Sequence, residues 1–179
     1  MDAVAGGDIV GGDKVVHNHP PTQKKSKLEL LKAQLKKEVE DGSSSSDLID
    51  QLQCYKKPIP EDGVIGLVAK LEASGRSAQL MTALEMKEQF AKLLEKWSLY
   101  ASAQEIFAHL LAMAQYKYSH QIYPIIGSIT DVEIDELVDQ KIISPAIEEV
   151  GIDIFSLDHK SAMGMIYWLA EQCRIKWHK

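Results

Sequence analysis

The side chains best suited to chemistry in this sequence are two cysteines, six histidines and a run of carboxylates. Cys54 and Cys173 form no Cys-x-x-Cys pair and have no metal-ligand spacing, which favours free buried thiols, with a structural disulfide as the alternative. His17 and His19 could share a metal ion, but no third ligand stands nearby in the sequence. His109 falls inside a predicted helix, where a side chain at the edge of the core is expected. We therefore predict no metal site.

Five carboxylates fall within nine residues: Asp131, Glu133, Asp135, Glu136 and Asp139. Paired carboxylates can perform acid–base catalysis, but a run along one helix is typical of a solvated face. If this face has a function, it meets a basic patch on a partner. The sequence contains no GxxxxGK[ST], GxGxxG, GxSxG or HExxH motif. We predict that the protein is not an enzyme and uses no cofactor.

The composition restricts the class of protein further. The chain has 179 residues, a formal net charge of −6 and a pI near 5.5, which argues against a general nucleic-acid-binding surface. No apolar run approaches the roughly 18 residues needed to cross a bilayer, and the N-terminus lacks the regions of a signal peptide. A cytoplasmic protein without membrane association is predicted.

A tandem repeat opens the chain. The unit Gly-Gly-Asp-x-Val occurs twice between residues 6 and 15, and it pairs a glycine turn with a short extended piece. We predict a flexible, disordered tail over residues 1–24. The alternative is a short β motif that pairs with itself or with a partner. Its self-association residues would be Gly7, Asp8, Ile9, Gly12, Asp13 and Val15.

The rest of the chain reads as helices. Residues 25–42 are predicted to form an amphipathic helix that begins at Ser26, and residues 43–46 link it to a helical interaction domain at 47–179. The pattern leaves open whether the first helix docks in the same chain or on another. Capping boxes beginning at Ser102 and Thr130, and an N-cap at Asp158, mark later helix starts. Residues 78–97 and 102–115 should be antiparallel neighbours. The predicted fold is all-α, a small helical bundle around that pair.

The closing stretch, residues 163–177, is unusually apolar and aromatic. Its helix should pack into the core on one side. Residues 173–177 alternate apolar and charged side chains, which indicates an extended segment and a possible short terminal strand. We predict a partner-binding surface on four residues of this stretch: Met165, Trp168, Ile175 and Trp177.

Six segments carry a resemblance to a known family: LIDQLQCYKKPI (48–59), GLVAKLEASGR (66–76), ALEMKEQFAKLLEK (83–96), SAQEIFAHLLA (102–112), YPII (123–126) and GMIYWLAEQCRIKW (164–177). Together they resemble a C-terminal domain of bacterial ABC-three-component systems, conflict systems that pair an ABC-type ATPase, a small middle component and an effector. The family's last segment commonly reads GMxYxLTGxCHIKW. This chain departs from it at residues 170–172 and at Arg174. The N-terminal repeat also resembles Gly-Gly-Asp repeats of bacterial effector proteins.

The resemblance implies an effector-type component without an enzymatic domain, docking to the ATPase or the middle component of a defence system. It supplies no catalytic residues. Two alternatives remain: a self-assembling adaptor, a homo-oligomer driven by the glycine repeat, and a small nucleic-acid-binding regulator that uses residues 24–37.

Overall fold

The computed structural model describes residues 26–45, 47–60 and 62–179, and every regular element in these ranges is helical. The helices are α1 (Lys27–Glu40), α2 (Asp50–Lys56), α3 (Gly66–Ala73), α4 (Leu80–Trp97), α5 (Ala101–Lys117), α6 (Asp131–Val138), α7 (Ser144–Val150), α8 (Ile152–Phe155) and α9 (His159–Glu171). Short 3-10 turns and two π turns connect several of them. The all-α prediction is confirmed. The Gly-Gly-Asp repeat lies outside the described residues.

Local signals correctly placed three helix starts. Ser26 and Glu29 form a capping box on α1, and Thr130 and Glu133 form one on α6. The Asp158 carboxylate accepts from the backbone N–H of Ser161 at 2.7 Å and caps α9. These backbone donors stabilise the ionised carboxylates, and they lower the pKa of both Glu133 and Asp158.

Helix α1 packs against α5 of the same chain, which answers the question that the sequence left open. Its Leu31 and Leu35 belong to the buried core. At its end, Glu38 accepts hydrogen bonds from the backbone N–H and the hydroxyl of Ser102, at 3.2 and 2.7 Å. The predicted capping box at Ser102 is therefore wrong. Helix α5 begins one residue earlier, and Ser102 serves the contact with α1 instead.

Helix α4 packs most extensively against α9 and makes only limited contact with α5. Gly164 explains the closeness of α4 and α9, because a Cβ there would collide with the backbone carbonyl group of Met86. The Phe90 ring joins the three helices. It meets Phe107 of α5 and Trp168 of α9 edge to face, each with ring centroids 6.0 Å apart.

A buried amide fixes the start of α2. No side chain caps this helix locally. Instead, Gln104 of α5 accepts from the N–H of Ile49 at 2.7 Å and donates to the carbonyl oxygens of Asp47 and Ser98, at 3.0 and 2.7 Å. The possible terminal strand is not formed, since residues 172–179 follow an irregular path after α9.

Candidate functional site: the C-terminal segment

Helix α9 ends in a tight reversal that sets the direction of residues 172–179, here called the C-terminal segment. The N–H of Cys173 donates to Ala170 O at 3.0 Å, and that of Arg174 donates to Leu169 O at 2.9 Å. This pair of bonds is the Schellman motif, which usually places glycine at the left-handed position. Cys173 occupies that position here, with φ of 59°.

The segment is then bound to the loop that follows α2. The N–H of Ile59 donates to Gln172 O at 3.2 Å. The Arg174 guanidinium donates to the carbonyl oxygen of Cys54 and lies over the Tyr55 ring, 4.6 Å from its centroid. Arg174 is one of the residues at which the chain departs from the family pattern, and its charge and reach are what make both contacts.

Asp62 forms a second attachment. Its carboxylate meets Lys176 Nζ at 2.7 Å and His178 Nε2 at 3.0 Å, and it accepts from the N–H of Val64 at 3.1 Å. These donors, Lys176 first, hold the pKa of Asp62 well below its usual range. The same contact raises the pKa of Lys176.

A buried arginine supports the far end of the segment. Arg76 bonds to Asp135 at 2.7 Å and to Asp131 at 3.2 Å, and its guanidinium lies 5.8 Å from the Trp177 ring centroid. Tyr118 donates its hydroxyl proton to Lys176 O at 3.0 Å, and burial raises the pKa of Tyr118. Two carboxylates of the acidic run on α6 are thus already bonded to an arginine of the same chain.

The four predicted partner-binding residues all lie in the core, each at most 7% exposed. Trp168 packs on Phe90, and the Trp177 ring lies 5.9 Å from that of Tyr167. In this conformation, Met165, Trp168, Ile175 and Trp177 position the segment and offer almost no surface to a partner. Partner binding by these side chains stays a prediction, and the predicted self-association residues lie outside the described residues.

Exposed apolar side chains do surround the end of α9. Ile59, Ile65 and Val68, here called the apolar rim, are all exposed. Ile59 is bonded directly to Gln172. Ile65 and Val68 flank the start of α3, where the N–H of Leu67 donates to Glu171 Oε2 at 2.8 Å. These bonds place the apolar rim next to the end of α9, and the rim and the C-terminal segment together are here called the C-terminal face.

The family model of C-terminal domain 9 of the ABC-three component (ABC-3C) systems matches residues 66–177, more than half of the chain. The chain belongs to this family. Comparisons with curated proteins and with solved structures found no match. The matched part of this ABC-3C domain runs from the first residue of α3 to Trp177 and therefore contains Arg76, Gly164 and Cys173. Asp62, α1 and α2 precede it.

Two histidines of the ABC-3C domain contact neighbouring side chains at the surface. His109 Nε2 lies 3.2 Å from Glu149 Oε2 on the surface, and His120 stacks on Tyr116 with centroids 4.3 Å apart. Both cysteines are free, but Cys54 is exposed, contrary to the prediction of buried thiols. Among the described residues, no group of three His, Cys, Asp or Glu side chains could hold a metal ion.

None of the described helices of the domain combines the length and apolar character that a bilayer crossing requires.

The polar residues that hold the C-terminal face together, namely Asp62, Lys70 and Arg76, were not predicted from the sequence. Each bonds to groups between 55 and 116 residues away in the chain. No local spacing could have indicated them.

Proposed function

We propose that this chain is a protein–protein interaction component of an ABC-three-component defence system, which acts without catalysis by binding the system's ATPase or middle component. Membership of the ABC-3C C-terminal-domain family, over residues 66–177, is the observation that carries the proposal. A domain that belongs to a multi-component system is expected to contact another component of that system.

We assign the docking surface to the C-terminal face. Exposed apolar groups grouped in one region of a surface are typical of protein contacts. The apolar rim supplies such groups, and the attachments at Asp62 and Arg174 keep the adjoining segment in one conformation. Because little backbone ordering is then needed on binding, the entropic cost of association is reduced. The buried aromatics of the segment support this face from beneath.

Ile65→Asp tests the assignment. Ile65 is 61% exposed and is the N-cap residue of α3, where no side-chain cap is present. Aspartate is a favoured N-cap residue, but Glu171 already accepts from the N–H of Leu67 nearby, so urea unfolding of the variant is compared with that of the unmodified chain to separate lost binding from lost stability. We expect it to weaken co-purification with the ATPase or middle component by at least about tenfold, as loss of a central interface residue does.

Val132→Asp is the matched control. Val132 is 67% exposed and lies in the first turn of α6, where an acidic residue is equally compatible with the helix. This variant should retain full binding. Equal binding by both variants would contradict the surface assignment. Failure of the unmodified chain to bind either component would contradict the proposed function itself.

A further inference from the structure

A cavity beside the C-terminal segment has only cations among its charged lining residues. Its volume is about 140 Å³, several times that of one water molecule. Arg174 and Lys176 line it from the segment, while Gln115 and Ser119 line it from α5 and from the π turn that follows α5. No carboxylate is present among the described residues of this lining. The cavity therefore suits an anionic group larger than water.

The two cations differ in whether a negative charge already balances them. Lys176 Nζ lies 2.7 Å from the Asp62 carboxylate, so its charge is balanced within the chain. The Arg174 guanidinium has neutral contacts, namely the carbonyl oxygen of Cys54 and the Tyr55 ring. Its buried Nε has no hydrogen-bond partner among the described residues. One unbalanced positive charge thus stands at the cavity, and a guanidinium is well suited to pair with a carboxylate.

Uncharged donors and apolar side chains complete the lining. The Gln115 side chain is half-buried, and no hydrogen bond between described residues uses its amide or the Ser119 hydroxyl. Ser119 belongs to the π turn, and single π turns at helices frequently occur at functional sites. Ile59 and Ile175 supply apolar wall. The lining therefore combines one unbalanced charge, two available donors and an apolar surface.

We propose that this cavity binds a carboxylate group carried on a short aliphatic stem. The carboxylate pairs with Arg174 and accepts from the Gln115 amide and the Ser119 hydroxyl. The stem lies against Ile59 and Ile175. A singly charged carboxylate matches the single unbalanced cation, whereas a phosphate dianion would bring a second charge without a partner.

Two sources carry such a group. One is a free short-chain acid such as propionate, and the other is a glutamate side chain of a docked component, which ends in the same atoms. Since residues of the C-terminal face line part of the cavity, the second source rests on the proposed function. The site itself does not, because propionate tests it on the isolated chain.

The first experiment titrates the full-length chain with sodium propionate at constant ionic strength and follows its backbone amide signals by NMR. We expect a dissociation constant on the order of 1 mM and shifts at Gln115, Ser119 and residues 173–176. Propionamide, the uncharged control, should cause no saturable shift there, and inorganic phosphate should bind more weakly. Absence of a saturable shift at these signals, an equal response to propionamide, or tighter binding of phosphate would overturn the proposal.

Arg174→Gln tests the charge. It should weaken propionate binding at least about tenfold, as loss of a charged hydrogen-bond partner does. Lys117→Gln is the matched control, because it removes a positive charge from the last turn of α5 at a position that does not line the cavity. Binding by the control should stay within about twofold of the unmodified chain, since salt screens charges outside the site. Equal weakening in both variants would contradict a defined site.

Gln115→Leu provides a second test that leaves Arg174 and the attachments of the segment in place. It should weaken propionate binding about fivefold, as loss of a neutral hydrogen bond does. Unchanged binding by this variant, with native circular dichroism, would contradict the assigned lining even if Arg174→Gln failed to fold.

A competition experiment distinguishes the two sources. If a glutamate of a component fills the cavity, saturating propionate should reduce co-purification with that component, and Arg174→Gln should do the same. If a free acid is the ligand, co-purification should not respond to propionate. Failure of the chain to bind either component would contradict the proposed function alone, because propionate binding by the isolated chain is measured separately.

Discussion

Asp62 holds the C-terminal segment through one carboxylate that meets two side chains of that segment. Lys176 and His178 both approach it within hydrogen-bonding distance, and together with the N–H of Val64 they keep its pKa low. A carboxylate whose pKa is lower in the folded than in the unfolded chain stabilises the fold above its unfolded pKa. That contribution is lost as pH falls through the folded value.

Asp62→Asn should therefore reduce stability most at moderate pH. We expect the variant to unfold at lower urea concentration than the unmodified chain at pH 5, because it lacks the ionised partner of Lys176 and His178. The difference should shrink as pH falls below about 4, because Asp62 of the unfolded chain takes up a proton there while the folded chain keeps it ionised to lower pH. Urea melts at several pH values, with Glu136→Gln as an exposed carboxylate control, measure this. A difference that stays constant over this pH range would contradict the account.

Other residues show why the candidate site could be predicted only in part. High apolar density at residues 163–177 pointed to a functional end of the chain, but core and interface residues share the same composition. Arg76 is the clearest omission. It stands beside a glycine in a polar stretch, yet it is buried against Trp177 and bonded to α6. Only the tertiary path of the chain brings those groups together.

Among the elements, locally encoded features were predicted well. Three helix starts depend on residues only three positions apart in the chain. They are the start of α1 at Ser26, the capping box at Thr130 and the cap at Asp158. The start of α5 was placed wrongly, because Glu38, 64 residues earlier in the chain, accepts from Ser102. A long-range hydrogen bond in a buried contact can prevent a local capping motif from forming. The sequence alone does not indicate such a bond.

The pairing of α4 with α9 leads to a sharp mutational prediction. Gly164→Ala should destabilise the domain by about 2–4 kcal/mol, in the range of other overpacking and backbone-displacing changes in cores. The reason is that the new methyl group meets the rigid backbone of Met86 and the Cβ of Phe90. Thermal or urea unfolding measures the loss.

Gly127→Ala is the appropriate control for that experiment. A methyl group at Gly127 would meet only the flexible end of the Lys179 side chain, which can move aside. This variant should unfold within about 0.5 kcal/mol of the unmodified protein, as surface substitutions usually do. Similar losses in both variants would indicate that α4 and α9 are not held by close backbone contact.

In the whole molecule, α1 packs into the same core as the ABC-3C domain, although the family match does not cover it. The match begins at α3, yet Leu31 and Leu35 of α1 lie in the same core as residues of α5 and α9. Likewise, Asp62 and Ile59 precede the matched residues but hold the C-terminal segment. The chain therefore joins its own N-terminal helices to the ABC-3C domain and builds the C-terminal face from both.

We propose that the C-terminal face binds another component of the system. Hydrogen exchange of the full chain, alone and mixed in turn with the ATPase and the middle component, tests it most directly. We expect slower exchange in peptides covering residues 56–68 and 171–179 with one of the two partners, and unchanged exchange in α6. Protection confined to other helices, or no protection with either partner, would contradict it.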